Sequence, residues 1–104
     1  MGRSPFRRRM PLTIAGIAFP TVPDLVFTDD QPLPMVRGVL QVNAKLAAAE
    51  VSNLRKAIDE DERAVIDTAY GHGEIEIRSF TYAPEEGVVR SFEGLDVRSW
   101  TFKK

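Results

Sequence analysis

The chain has 104 residues, 43% of them hydrophobic, no cysteine and a formal charge of −1. That length suits one domain with a modest core, the apolar content argues against disorder throughout, and the lack of cysteine excludes disulfides and thiolate chemistry. No apolar run nears the roughly 18 residues of a membrane span.

Charge is spread unevenly. Arg3, Arg7, Arg8 and Arg9 supply four of the 14 basic residues. From Met10 onward, 10 basic residues face 15 acidic ones, a balance of −5. A body of that sign is a poor general nucleic-acid binder. Residues 1–10 form a basic arm without periodicity, expected to be flexible. It reads as a disordered leader, as residues upstream of a start at Met10, or as an arm whose Arg7, Arg8 and Arg9 touch nucleic acid or an acidic neighbouring subunit. No small-residue cleavage site of the usual form follows, so no signal peptide is expected.

Residues 11–34 hold five of the seven prolines, which nearly excludes helix. LTIAGIAF reads as one short apolar strand with Gly16 as a bulge, and DLVFT as a second. Strands so rich in proline suit sheet edges and surface crossings, where a neighbouring chain could hold them down. Asp29 and Asp30 lack the later oxygen ligands of a calcium loop and read as a solvated turn. In MVRGVLQVN, Val36, Leu40 and Val42 alternate with Arg37 and Gln41, as in a half-buried strand.

A helix is expected over residues 44–59, with Asn43 as its N-cap. Ala47, Val51, Leu54 and Ile58 fall on one stripe. Burying the three larger ones contributes roughly 5–9 kcal/mol gross, so packing decides where the helix lies. The four acids at positions 59–62 oppose the macrodipole and mark its end in a solvated turn. A sharper reading makes them a patch that meets the arginine arm of another copy.

RAVIDTAY reads as a strand, and Gly71-His72-Gly73 as the tight turn after it. IEIRSFTY at residues 75–82 and LDVRSWTF at 95–102 match position for position, and VVRSF at 88–92 is a partial third copy. In each full copy the apolar parity switches at Arg-Ser, from Ile75 and Ile77 to Phe80 and Tyr82, and from Leu95 and Val97 to Trp100 and Phe102. A bulge there would turn the aromatics inward. Without one they form an exposed apolar patch, a usual mark of a contact site. Residues 83–87 and Glu93-Gly94 read as turns, giving a three-stranded meander whose matched strands lie outermost and parallel. The expected fold is therefore α+β, mainly antiparallel, a β-sandwich or partly open barrel over residues 11–104 with a single flanking helix.

No zinc spacing, phosphate-cradling glycine loop or nucleophile elbow is present. No catalytic, metal or cofactor residue is assigned, and no enzymatic activity is expected. Glu74 and Glu76 stand about 7 Å apart by strand geometry, a separation that could suit a glycosidase pair. Alternate acids on a solvated strand face are the plainer reading. Arg78, Arg90 and Arg98 interleaved with Phe80, Phe92 and Trp100 could form a platform for single-stranded nucleic acid. That is the alternative to an assembly subunit that completes its core against protein partners. The expected contacts of such a subunit are Met1 to Pro34 with the four aromatics Phe80, Tyr82, Trp100 and Phe102.

The opening MPLTIAGIAF, the passage VRGVLQVNAKLAAAEVSNLRKAI and the late β-meander resemble, as an order of elements from Met10 to Lys104, the small one-helix β-proteins of tailed-phage and contractile-injection tails. The resemblance implies a non-enzymatic tail or baseplate component in a homo- or hetero-oligomeric ring, assembled in the host cytoplasm and carried in the virion, with no membrane association and no cofactor.

Overall fold

The computed structural model describes residues 11–103. Arg3, Arg7, Arg8 and Arg9 of the arm lie outside the described residues.

Ala15 and Gly16 both take left-handed φ angles, 56° and 72°, as a two-residue type I′ turn requires. The apolar segment read as one bulged strand is therefore a hairpin of β1 (Leu12–Ile14) and β2 (Ile17–Phe19). Its odd-and-even pattern continues through the turn, so Leu12, Ile14, Ile17 and Phe19 are all buried. Next comes a two-stranded ribbon of β3 (Leu25–Val26) and β4 (Met35–Val36). The Thr28 to Gln31 turn between them carries Asp29 and Asp30, both exposed, as expected. β5 spans Leu40–Lys45, α1 Ala48–Asp59, β6 Ala64–Asp67, β7 Gly71–Ala83 and β8 Val88–Phe102.

Six strands make one antiparallel sheet in the order β2-β1-β6-β7-β8-β5. It is nearly closed and barrel-like, with α1 the single helix of the described residues, so the α+β expectation holds. Closure shows in the core. Phe19 on the β2 edge meets Phe92 on β8 with ring centroids 5.2 Å apart, edge to face, although three strands separate them in the sheet order. β1 contradicts one expectation. It is not an edge strand but sits between β2 and β6. The prolines flank it without interrupting it, and residues 11–36 pack on their own body.

The helix starts later than its alanines suggest. Ala44 and Lys45 pair with Val89 and Val88 of β8, and Asn43, with φ 45°, is a bulge residue of β5 and not an N-cap. Strand pairing outweighs helix propensity here. The cap residue is Ala47, whose side chain cannot accept a hydrogen bond. Glu50 accepts instead from the Ala47 N–H at 2.9 Å. Val51, Leu54 and Ala57 are buried and Ile58 is half-buried, whereas Ala47 and Ala48 face solvent. The stop is a Schellman motif with Asp61 at φ 62° in the position glycine usually takes. Glu62 N–H donates to the Ala57 carbonyl at 2.8 Å, and Asp61 N–H to that of Ile58 at 3.1 Å.

The late segment is a two-stranded hairpin and not a three-stranded meander. The loop at residues 83–87 turns as expected, with Gly87 at φ 67°. Glu93-Gly94 lies inside the continuous 15-residue β8. The two matched sequences are hence antiparallel partners, with Ile75 opposite Val97 and Ile77 opposite Leu95. The parity switches have two causes. On β8, Arg98 and Arg90 are extra residues: Glu74 pairs with Ser99 and Ile75 with Val97, and Thr81 pairs with Ser91 and Tyr82 with Val89. At Arg78-Ser79 the register does not shift. Both strands change face at one level, opposite Gly94, whose φ of 66° permits it.

Candidate functional site

The β6–β7 turn is built around one hydroxyl. Thr68 is buried, and its Oγ1 accepts from the N–H groups of Tyr70 and Gly71 at 3.1 and 3.2 Å and donates to the Gly71 carbonyl at 2.9 Å. The turn is thus Ala69-Tyr70, not Gly71-His72-Gly73, which begins β7. Held this way, Tyr70 stands at the tip, 70% exposed. The carbonyl of Tyr70 accepts from Lys103 N–H at 3.0 Å, and Lys103 Nζ donates to Asp67 Oδ1 at 2.6 Å, so the end of β8 is tied to the turn.

Gly73 pairs with Trp100, and Gly71 with Phe102. Both glycines make room. A Cβ on Gly71 would stand 2.8 Å from Trp100 Cζ2, and one on Gly73 would overlap the Ser99 carbonyl. Phe27, two residues after Leu25 of β3, completes the group. Its ring lies 5.6 Å from both Trp100 and Phe102 and 6.4 Å from Tyr70, and Trp100 lies 6.0 Å from Phe102. Four rings from three parts of the chain therefore meet at one end of the long hairpin. Phe27 is 41% and Phe102 59% exposed.

Two hollows flank this cluster. One of about 530 Å³ lies between Pro11, Pro20, Val22 and Pro23 on one side and Leu25, Phe27 and Tyr70 on the other. A second of about 620 Å³ shares Leu25, Phe27 and Tyr70 and reaches Phe102 and Lys103. The polar rim of the first is acidic, from Asp24 and Asp67. Asp24 lies 3.8 Å from Arg37 in an open pair. An apolar floor, aromatic walls and few charges suit binding, since aromatic residues are enriched where interfaces are desolvated. His72 stands exposed on β7 opposite Thr101, and among the described residues no group of His, Asp and Glu could hold a metal ion.

Of the four aromatics named from sequence, only Trp100 and Phe102 belong to this cluster. Phe80 pairs with Phe92, seven strand positions from the Gly73–Trp100 pair, or about 23 Å at strand rise. Phe80 and Tyr82 are half-buried against the core, and Arg55 covers the Phe80 ring at 5.0 Å. Trp100 is turned partly inward by the bulge at Arg98. The outcome thus lies between the two alternatives, a wholly exposed patch and a wholly internal set. Arg7, Arg8 and Arg9, also expected at contacts, lie outside the described residues. Phe27 lies within the Met1 to Pro34 segment expected at contacts but was not singled out there, and Tyr70 was not anticipated.

The other candidate chemistries are absorbed by the sheet. Phe92 is fully buried, Arg90 pairs with Glu86 at 2.5 Å and Arg98 with Glu76, so the supposed stacking platform does not exist as a surface. Arg98 Nε donates to Glu76 at 2.8 Å, and this bond holds the Glu76 carboxyl below its ordinary value, unlike a glycosidase acid. Asp61 lies 3.9 Å from Arg63, and Glu62 accepts from Ala15 N–H at 3.0 Å, so part of the acidic run serves the fold.

No family model matches this chain, and no curated protein or solved structure matches it.

Proposed function

We propose that this protein is a non-enzymatic assembly subunit that docks onto protein partners through the Phe27, Tyr70, Trp100 and Phe102 face. The observation that carries this reading is the exposed four-ring cluster itself. A folded domain gains nothing by presenting Tyr70 and Phe102 at 70% and 59% exposure, and large exposed apolar patches mark contact sites. The excess of 15 acidic over 10 basic residues from Met10 onward favours a protein partner over nucleic acid. The resemblance in element order to tail and baseplate subunits supplies the setting, a ring-forming component of a virion or related tail. No helix among the described residues is long and apolar enough to cross a membrane.

Sedimentation over a range of concentrations tests the proposal. The wild-type chain is expected to form a defined oligomer, and Tyr70→Ser with Phe102→Ser to shift it to monomer while the circular dichroism stays unchanged. A wild-type monomer at every concentration, or an oligomer indifferent to both substitutions, would overturn it.

A further inference from the structure

The backbone around the four-ring face is already spent. The N–H groups of Asp67, Thr68, Tyr70 and Lys103 donate within the protein, and Pro11, Pro20 and Pro23 carry none, so a partner cannot add a strand there. The charges are spent as well. Asp24 pairs with Arg37 and Asp67 with Lys103, and the described residues lining the two hollows include no other charge. The surface is also divided. Leu25, Phe27 and Tyr70 line both hollows, which are therefore two furrows along a shared ridge. A helix about 10 Å across would straddle that ridge without filling either furrow.

An uncharged, extended segment that needs no backbone donors meets all three conditions. A polyproline II helix is such a segment. It is ordered before it binds and rises about 3.1 Å per residue, so its alternate residues stand about 6.2 Å apart. The ring centroids of the face stand 5.6, 6.0 and 6.4 Å apart. Pyrrolidine rings can thus seat between the aromatic ones, while the bare carbonyls of the segment accept from the hydroxyl of the exposed Tyr70. The described part of the chain supplies no such segment itself. Pro23 and Pro34 are buried, and the exposed Pro20, Pro32 and Pro84 lie far apart in sequence. We infer that the face takes an extended, proline-rich segment of a different protein. That occupant rests on the docking role proposed above and gives it a chemistry.

Trp100 is the sole tryptophan, so its emission reports occupancy of the face. Decaproline is expected to change that emission saturably in the full chain, whereas a glycine–serine peptide of equal length should not. Tyr70→Ser should weaken decaproline binding about tenfold with the circular dichroism unchanged. The same rings serve self-association, so saturating decaproline should also shift the wild-type oligomer to monomer. No saturable change at millimolar decaproline, an affinity untouched by Tyr70→Ser, or tighter binding of an amphipathic leucine–lysine helix overturns the inference. An oligomer that Tyr70→Ser with Phe102→Ser dissociates but decaproline does not also overturns it, and leaves the assembly reading standing. Decaproline binding by a chain that stays monomeric at every concentration upholds the segment and removes only self-association.

Discussion

Gly71 lies beneath the indole of Trp100: a Cβ built on it would stand 2.8 Å from Cζ2 and 2.9 Å from Cε2, and would also overlap the Thr101 carbonyl oxygen. Gly71→Ala therefore cannot be accommodated by the ring alone, since backbone blocks the other side. The substitution is expected to destabilise the fold by about 1–3 kcal/mol and to displace Trp100. Urea unfolding gives the first quantity and tryptophan emission the second. An unchanged emission maximum would contradict the close approach.

Trp100 carries a penalty of its own. Its Nε1 is buried with no acceptor among the described residues, and an unmet buried donor costs about 1–3 kcal/mol. Phenylalanine keeps most of the ring and removes the donor. Trp100→Phe should thus cost under about 1 kcal/mol, against roughly 2–4 for Trp100→Ala. Equal losses for the two variants would mean that the indole N–H is satisfied in solution.

Ala15 holds a left-handed φ of 56° beside Gly16. A non-glycine residue pays about 1–2 kcal/mol there, asparagine less. Ala15→Asn creates the Asn-Gly pair that type I′ turns favour and should stabilise the protein by about 0.5–1 kcal/mol. Its backbone N–H still reaches Glu62. The shift is read as a higher urea midpoint with an unchanged slope.

Glu93 gives a pH dependence. Burial alone would push its carboxyl up, but the hydroxyls of Ser91, Thr81 and Ser79 donate to it and together hold it below the ordinary 4.5. The group protonates less readily folded than unfolded. Its stabilisation is therefore present above the unfolded value and lost as pH falls through the folded one. Glu76, lowered chiefly by its bond from Arg98, acts with the same sign. Glu93→Gln should lower stability at neutral pH and reduce, without abolishing, the decline below about pH 4.5. An acid slope identical to wild type would remove Glu93 from the account.

Where the sequence was legible, one periodicity dominated. Val51, Leu54 and the end of the helix near Asp59 follow from the 3.6-residue stripe and the acidic run. The helix start does not, because Ala44 and Lys45 are good helix formers claimed by pairing with β8, a contact with residues more than forty positions away. Glu93-Gly94 looks like a turn because a left-handed glycine punctuates turns and bulges alike. The matched strands announced that Arg-Ser is where the chain changes face, but not that Arg98 and Arg90 bulge while Arg78 does not. The aromatic face was half visible. Trp100 and Phe102 stand in a pattern, whereas Phe27 follows a two-residue strand and Tyr70 sits in a turn. A threonine followed three residues later by glycine, with an aromatic between them, was the available hint for Tyr70.

The interior place of β1 also sets the order in which the chain comes together. β7 and β8 meet across a few residues, but β1 joins the sheet only by pairing Leu12 with Ile66 and Thr13 with Val65. Closing that long loop costs more chain entropy, and non-local pairings form slowly. The long hairpin should therefore nucleate folding, with β1 and β2 arriving last and leaving first. When they leave, Leu12, Ile14, Ile17 and Phe19 come into water together, and the paired side of β6 is bared as a raw edge. Such a species invites edge-to-edge joining between molecules. The Glu62 carboxylate on Ala15 N–H is then a latch on that door, and the shelf life of the protein depends on how seldom it opens.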